Sequence, residues 1–234
     1  MSMIVNVLKN ALEKKRYTGR YSIQELLYRI ALEQDLQHIE DRRQYSMTSI
    51  SVTDLVSCSH RYRLSMKYPE LRIQGNYSPI LILGRVLHTG IESIVRKYWE
   101  NARAEAPLEK IIMLDDARAV RIAGVADIVV EDNNGKIIIE IKTSRGDHET
   151  PLEHHVKQLQ IYMNLSGAAK GILFYINPDR IAEYEVSEPL TDSELAQLVL
   201  ETLLDKKHPR YDWECNYCPY SIMCPYKKLN KYKR

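Results

Sequence analysis

Gly124-Val125-Ala126-Asp127-Ile128-Val129-Val130-Glu131-Asp132-Asn133-Asn134-Gly135-Lys136-Ile137-Ile138-Ile139-Glu140-Ile141-Lys142 is the stretch on which the reading of this chain turns. Two apolar, β-branched runs, 122–130 and 136–142, flank Asp132-Asn133-Asn134-Gly135. Asn-Gly is a strong hairpin signal because both residues tolerate positive φ, so an antiparallel hairpin is expected. Strand alternation puts Glu140 and Lys142 on one face with Ile141 on the other, and Asp127 can lie across the hairpin from them. Charges inside a buried run are costly unless they are paired or hold a metal. Two carboxylates suit Mg²⁺ or Mn²⁺, and the lysine suits a water or a reacting phosphate. A salt bridge on a solvent-facing strand is the plain alternative.

Working outward, 234 residues with 44% hydrophobic content suffice for one full core with appendages. No apolar run reaches membrane-spanning length and the start lacks a signal-peptide layout, which points to a cytoplasmic protein without a membrane partner. A net charge of +2 gives no argument for nucleic-acid binding from overall basicity. The 16 tyrosines against one phenylalanine leave amphipathic rings for stacking or ordinary packing.

Residues 1–47 read as a helical region outside the core: Ile4, Val7, Leu8 and Leu12, then Ile23, Leu26, Leu27, Ile30, Leu32 and Leu36, recur at helical spacing on either side of a turn at Tyr17-Thr18-Gly19. This region reads as a cover on the core or an oligomerisation element, so a homo-oligomer is considered. After Met47, Ser51 or Thr53 is a candidate cap for one helix bearing Leu55, Val56 and Leu64, with Cys58 on it. Another helix opens at Gly84 and puts His88 one turn from Glu92 on the same face. Ile111–Leu114 is read as a strand leading to the hairpin, and the loop after Lys142 would bring Arg145 to the mouth of the site, where it could meet phosphate. The next helix stacks Gln158 and Tyr162 at i and i+4, candidates for a sugar-phosphate contact or plain polar surface. Strands at 171–177 and 181–186 and a helix at 190–204 complete an α/β core with a mixed sheet.

The chain has four cysteines, Cys58 and Cys215-x2-Cys218-x5-Cys224. A disulfide framework does not suit a chain of this size and layout. Zinc and an iron-sulphur cluster both accept four thiolates, but structural zinc usually shows two close pairs where only one C-x2-C occurs here. Proline after the last cysteine leans towards 4Fe-4S. Either group would clip the first and last thirds of the chain around what lies between, a loop closure worth on the order of 4 to 5 kcal/mol if it behaves like a disulfide.

Together the order G-x3-H (Gly84 to His88), G-x2-D (Gly124 to Asp127), E-x-K (Glu140 to Lys142) and Q-x3-Y (Gln158 to Tyr162), with the four cysteines, resembles the RecB-like branch of the PD-(D/E)xK nucleases and its CRISPR-associated, iron-sulphur exonucleases. The resemblance runs from about Ser49 to Tyr226. It implies a mixed central sheet flanked by helices, with a nuclease core at 48–206 and a C-terminal cysteine segment at 207–234. It further implies a metal-dependent exonuclease on single-stranded DNA ends that trims fragments for CRISPR spacer acquisition, with the integrase complex as a partner. His88, Asp127, Glu140 and the Ile141 carbonyl would hold Mn²⁺ or Mg²⁺, Lys142 would position water, Gln158 and Tyr162 would engage DNA, and Cys58, Cys215, Cys218 and Cys224 would hold a 4Fe-4S cluster. Two other readings are a viral or recombination nuclease outside CRISPR, to be told apart by neighbouring genes, and a catalytically idle iron-sulphur DNA-binding subunit. Retention of His88, Asp127, Glu140 and Lys142 speaks against the idle subunit.

Overall fold

The structure, a computed structural model, describes residues 22–44, 48–115, 117–133, 135–144 and 150–228. The expected helix through Ile4 to Leu12, the turn at Tyr17-Thr18-Gly19, Asn134 and the loop with Arg145 lie outside the described residues. Helix α1 (Ile23–Gln44) precedes β1 (Thr48–Ser51), the single turn α2 (Val52–Leu55), α3 (Ser59–Lys67) and a 3-10 segment, Pro69–Tyr77. Helix α4 (Pro79–Tyr98) leads to β2 (Ala102–Asp115), β3 (Arg118–Asp132) and β4 (Gly135–Thr143). Then come α5 (Glu153–Ser166), β5 (Lys170–Ile176), β6 (Ile181–Val186), α6 (Asp192–Leu203) and a second 3-10 turn, Asp212–Asn216.

The six strands form one mixed sheet, and β3 organises it. β2 runs antiparallel along β3 from Arg118 to Val130, occupying one edge. The opposite edge is shared in succession: β1 pairs parallel with Val120–Ala123, and β4 pairs antiparallel with Ile128–Asp132. Residues 124–127 therefore face a gap between two strands on that edge. Asp132 opposes Gly135 across the expected hairpin, and Gly135 takes φ +119°, a conformation glycine adopts without Cβ strain. β5 joins β4 in parallel through the α5 crossover, and β6 closes the sheet antiparallel.

Side-chain alternation divides the interior in two. Ile50, Ile122, Ile138 and Leu173 pack against α5 and α6 through Leu159, Met163, Leu195 and Val199. On the other face Ile128, Ile139 and Ile141 meet Ile91 and Val95 of α4. Among the described residues no helix is long and apolar enough to cross a membrane.

Four local expectations change. The helix expected around Cys58 is two pieces, because Ser51 caps α2 by accepting the Asp54 N–H at 3.2 Å and the chain extends at Cys58 before α3. Thr48–Ser51, with one apolar residue, is a strand that pairs with β3 and buries Ile50 completely. β2 begins at Ala102, well before Ile111, since its alternation spans both exposed and buried positions along β3. Helix α4 also starts earlier than Gly84, with Pro79 in its first turn, where a missing N–H is tolerated.

Candidate active site

The gap in the sheet is where the charges meet. With no strand beside 124–127 on that edge, side chains take over the backbone pairing. The Asp127 carboxylate accepts the Ile141 N–H at 2.7 Å through Oδ2. The Tyr162 hydroxyl accepts a hydrogen bond from the Val125 backbone. The Tyr162 ring reaches under Gly124 so closely that a Cβ at Gly124 would lie 2.8 Å from Cε1 and 2.9 Å from the hydroxyl. Glycine is needed here for close approach.

α4 delivers His88 to the same place: its Nδ1 lies 3.3 Å from Asp127 Oδ1. One turn on, Glu92 is buried, and ligand atoms of His88, Glu92 and Asp127 all fall within 4.8 Å of one another. Burial works to lower the His88 pKa, but the hydrogen bond and charge of Asp127 outweigh it and leave it raised. Burial raises the Glu92 pKa, and the charges of Glu105 and Asp127 add to the effect.

From β4, Glu140 and Lys142 project to one face as alternation requires. Lys142 Nζ donates to Glu140 Oε1 and to Gln158 Oε1, both at 2.9 Å, and Gln158 Nε2 donates to the same Glu140 Oε1 at 2.9 Å. Oε1 thus has two donors, whereas Glu140 Oε2 is buried with no hydrogen-bond partner. A buried carboxylate oxygen without a donor is unfavourable. The pKa follows: burial pushes the Glu140 carboxyl up, the Lys142 charge opposes, and Asp127 pushes further up. A divalent cation among these acids would satisfy the orphaned oxygen and relieve the repulsion between the carboxylates, so the donor set fits a hard ion.

An open cleft of about 670 Å³ runs from Asp127 and Glu140 past Gly124 to Ser49, Arg72 and Arg121. Arg121 bonds Ser49 Oγ at 3.2 Å and pairs with Glu109 at the rim. Gln158 and Tyr162 line this cleft, as a strand contact would require, but the Tyr162 ring is 3% exposed and their polar atoms engage Lys142, Glu140, Val125 and each other. The structure therefore brings His88, Asp127, Glu140, Lys142, Gln158 and Tyr162 together, with the Ile141 amide bound to Asp127. Glu92 was missed as a ligand candidate; the signal was its i+4 spacing from His88.

The four cysteines line a separate cavity with Arg61, Glu214 and Tyr226. All four are free thiols. Burial pushes the Cys58 thiol up to about 11 and raises that of Cys218 as well. Thiols held this way become thiolates when a metal replaces the proton, so the donor set fits a four-thiolate centre.

Residues 86–225 match the PD-(D/E)XK nuclease superfamily. The chain is 44% identical over 207 residues to the CRISPR-associated exonuclease Cas4 of Saccharolobus solfataricus strain P2, covering 88% of this chain and 98% of that relative. It is also similar to the crystal structure of SSO0001, with a TM-score of 0.82 at 43% identity over 88% of this chain and 98% of that one. The chain belongs to the PD-(D/E)XK nuclease superfamily and, within it, to the CRISPR-associated RecB-like exonucleases, and it is a nuclease enzyme.

Proposed function

We propose that the protein is a metal-dependent exonuclease acting on single-stranded DNA ends, which trims fragments before a CRISPR integrase inserts them. The observation that carries the site assignment is the partnerless Glu140 Oε2, buried beside the His88, Glu92 and Asp127 group at the gap in the sheet. His88, Asp127 and Glu140 would hold Mn²⁺ or Mg²⁺, with Glu92 and the Ile141 carbonyl at hand. The ion when bound supplies Lewis-acid charge for phosphodiester hydrolysis.

The chain's own groups do the rest. Lys142 has three donors and engages two, which leaves one N–H for a water or a phosphate oxygen. Its charge offsets negative charge building on the phosphorus oxygens. Gln158 holds both Lys142 and Glu140 and so fixes their spacing. Arg72 and Arg121 place positive charge along the cleft, suited to the backbone of an incoming strand.

For the cysteines we propose a 4Fe-4S cluster. The single close pair Cys215-x2-Cys218, with Cys58 and Cys224 standing alone and Pro225 after the last thiol, supports this group over a zinc tetrathiolate.

Digestion of 5′- and 3′-labelled single-stranded DNA with Mn²⁺, by wild type and Glu140→Ala, tests the activity. Progressive shortening from an end by wild type alone is expected. Equal digestion by both proteins would contradict the site, and internal cuts without end-shortening would contradict the exonuclease reading.

A further inference from the structure

The 3-10 turn Asp212–Asn216 sits where three parts of the molecule meet. Trp213 stacks on Tyr211 and lies 4.9 Å, ring to ring, from His154 at the start of α5, the helix that carries Gln158. Cys215 lines the thiol cavity. Between them Glu214 is 5% exposed, and both its carboxylate oxygens are engaged. Oε1 accepts the Cys58 N–H at 2.9 Å, across 156 positions of sequence, and Oε2 accepts the Arg210 and Tyr211 N–H groups, each at 3.0 Å.

This arrangement answers a need of α3. A helix leaves its first N–H groups without internal partners, and Cys58, at the N-cap, offers no side-chain cap. The C-terminal segment supplies the acceptors: Glu214 for Cys58, and the Lys207 carbonyl for the Ser59 N–H at 2.8 Å. Ser59 Oγ and His60 also bind Asp205, at 2.9 and 2.6 Å, so the polar links on this side of the lobe do not run through the sulphurs. Cys58, the one cysteine distant in sequence, is thereby fixed against the segment that bears the other three before any thiolate bond forms.

We propose that Glu214 is the positioning residue of the four-cysteine centre: it pins the Cys58 backbone to the turn that presents Cys215, and its carboxylate sets a negative charge beside the sulphurs. This rests on the iron-sulphur reading above. Two consequences follow. With Cys58 prepositioned, the centre assembles with less ordering of the chain. A buried negative charge near a cluster disfavours adding an electron, so it holds the reduction potential down.

Glutamine is the discriminating replacement, because it keeps the shape but has a single acceptor oxygen. Its NH₂ would face N–H donors on one side, either at Cys58 or at Arg210 and Tyr211. The full chain is purified anaerobically as wild type, Glu214→Gln, Glu214→Asp and Thr191→Ala, the last weakening a distant helix cap. Iron and sulphide per chain, the visible spectrum and the midpoint potential are then measured. Glu214→Gln is expected to carry at least twofold less iron and sulphide and to show a more positive potential. Glu214→Asp, which keeps the charge but shifts it by one methylene, is expected to lose iron while keeping the potential near wild type. Thr191→Ala is expected to match wild type in both, separating positioning from general destabilisation. Wild-type loading and potential in Glu214→Gln would overturn the proposal; should that variant not fold, wild-type loading in Glu214→Asp would do so. Wild type purified with zinc, or without iron and sulphide, overturns the cluster reading itself and the role of Glu214 with it, a result distinct from a failure of Glu214 alone.

Discussion

Glu140 has one oxygen held by two donors and the other by none, and this asymmetry separates the roles of the residues around it. Lys142 contacts the doubly held oxygen, so its loss removes charge compensation and leaves the orphaned oxygen in place. Lys142→Ala is expected to slow DNA digestion by about 10²- to 10⁴-fold while calorimetry still detects Mn²⁺ binding. Glu140→Ala is expected to lose both. Gly124 offers a test that touches no charge. An added Cβ would meet Tyr162 at 2.8 Å and Val52 Cγ2 at 3.0 Å, so Gly124→Ala must move the ring that Gln158 leans on. Overpacking of this kind costs about 1–3 kcal/mol, to be read from urea unfolding, with a fall in nuclease activity as the second readout. The E-x-K spacing and Asp127 were legible because strand alternation fixes side-chain direction locally. The i+4 spacing set Glu92 on the face of His88, but its approach to Asp127 depends on how α4 crosses β3, a contact between distant parts of the chain.

At the scale of elements, α5 ties Lys142 to the cysteine lobe and carries a pH dependence. Burial pushes the His155 imidazole down to about 2 and that of His154 to about 4, helped by the Lys142 charge. Both bind protons more readily once unfolded, so their contribution to stability is present above pH 6.5 and is lost as the pH falls below it. His155 is bonded through Nδ1 to the Tyr175 hydroxyl at 2.7 Å. From this residue the protein is expected to lose about 2 kcal/mol between pH 7 and pH 5. His155→Gln is expected to remove that share of the loss in urea titrations at the two values. Helix α6 gives a simpler case: Thr191 and Glu194 form a reciprocal cap, and Thr191→Ala is expected to lower stability by about 1 kcal/mol. That cap, the hairpin and the long helices follow from local pattern. β1 escaped notice because Thr48-Ser49-Ile50-Ser51 shows a single apolar residue, and only β3 makes it a strand. The break at Cys58 escaped for the same reason, since its backbone partner, Glu214, lies near the other end of the chain.

For the molecule as a whole, the proposed cation site at the gap in the sheet and the proposed cluster joining α3 to the C-terminal segment make two separable metals the expectation. Chelation of Mn²⁺ is expected to stop digestion and to lower the thermal midpoint, since the ion binds the folded state and relieves the carboxylate repulsion. Reductive removal of iron is expected to lower the midpoint, with about 4 to 5 kcal/mol as the loop-closure ceiling. His88, Asp127 and Glu140 are expected to converge on one cation at the open edge of β3. The direct measurement is anomalous diffraction from a crystal of this protein soaked in Mn²⁺. A peak bounded by the His88 imidazole and the Asp127 and Glu140 carboxylates is expected. Absence of a peak there, in protein that digests DNA with Mn²⁺, would contradict that convergence.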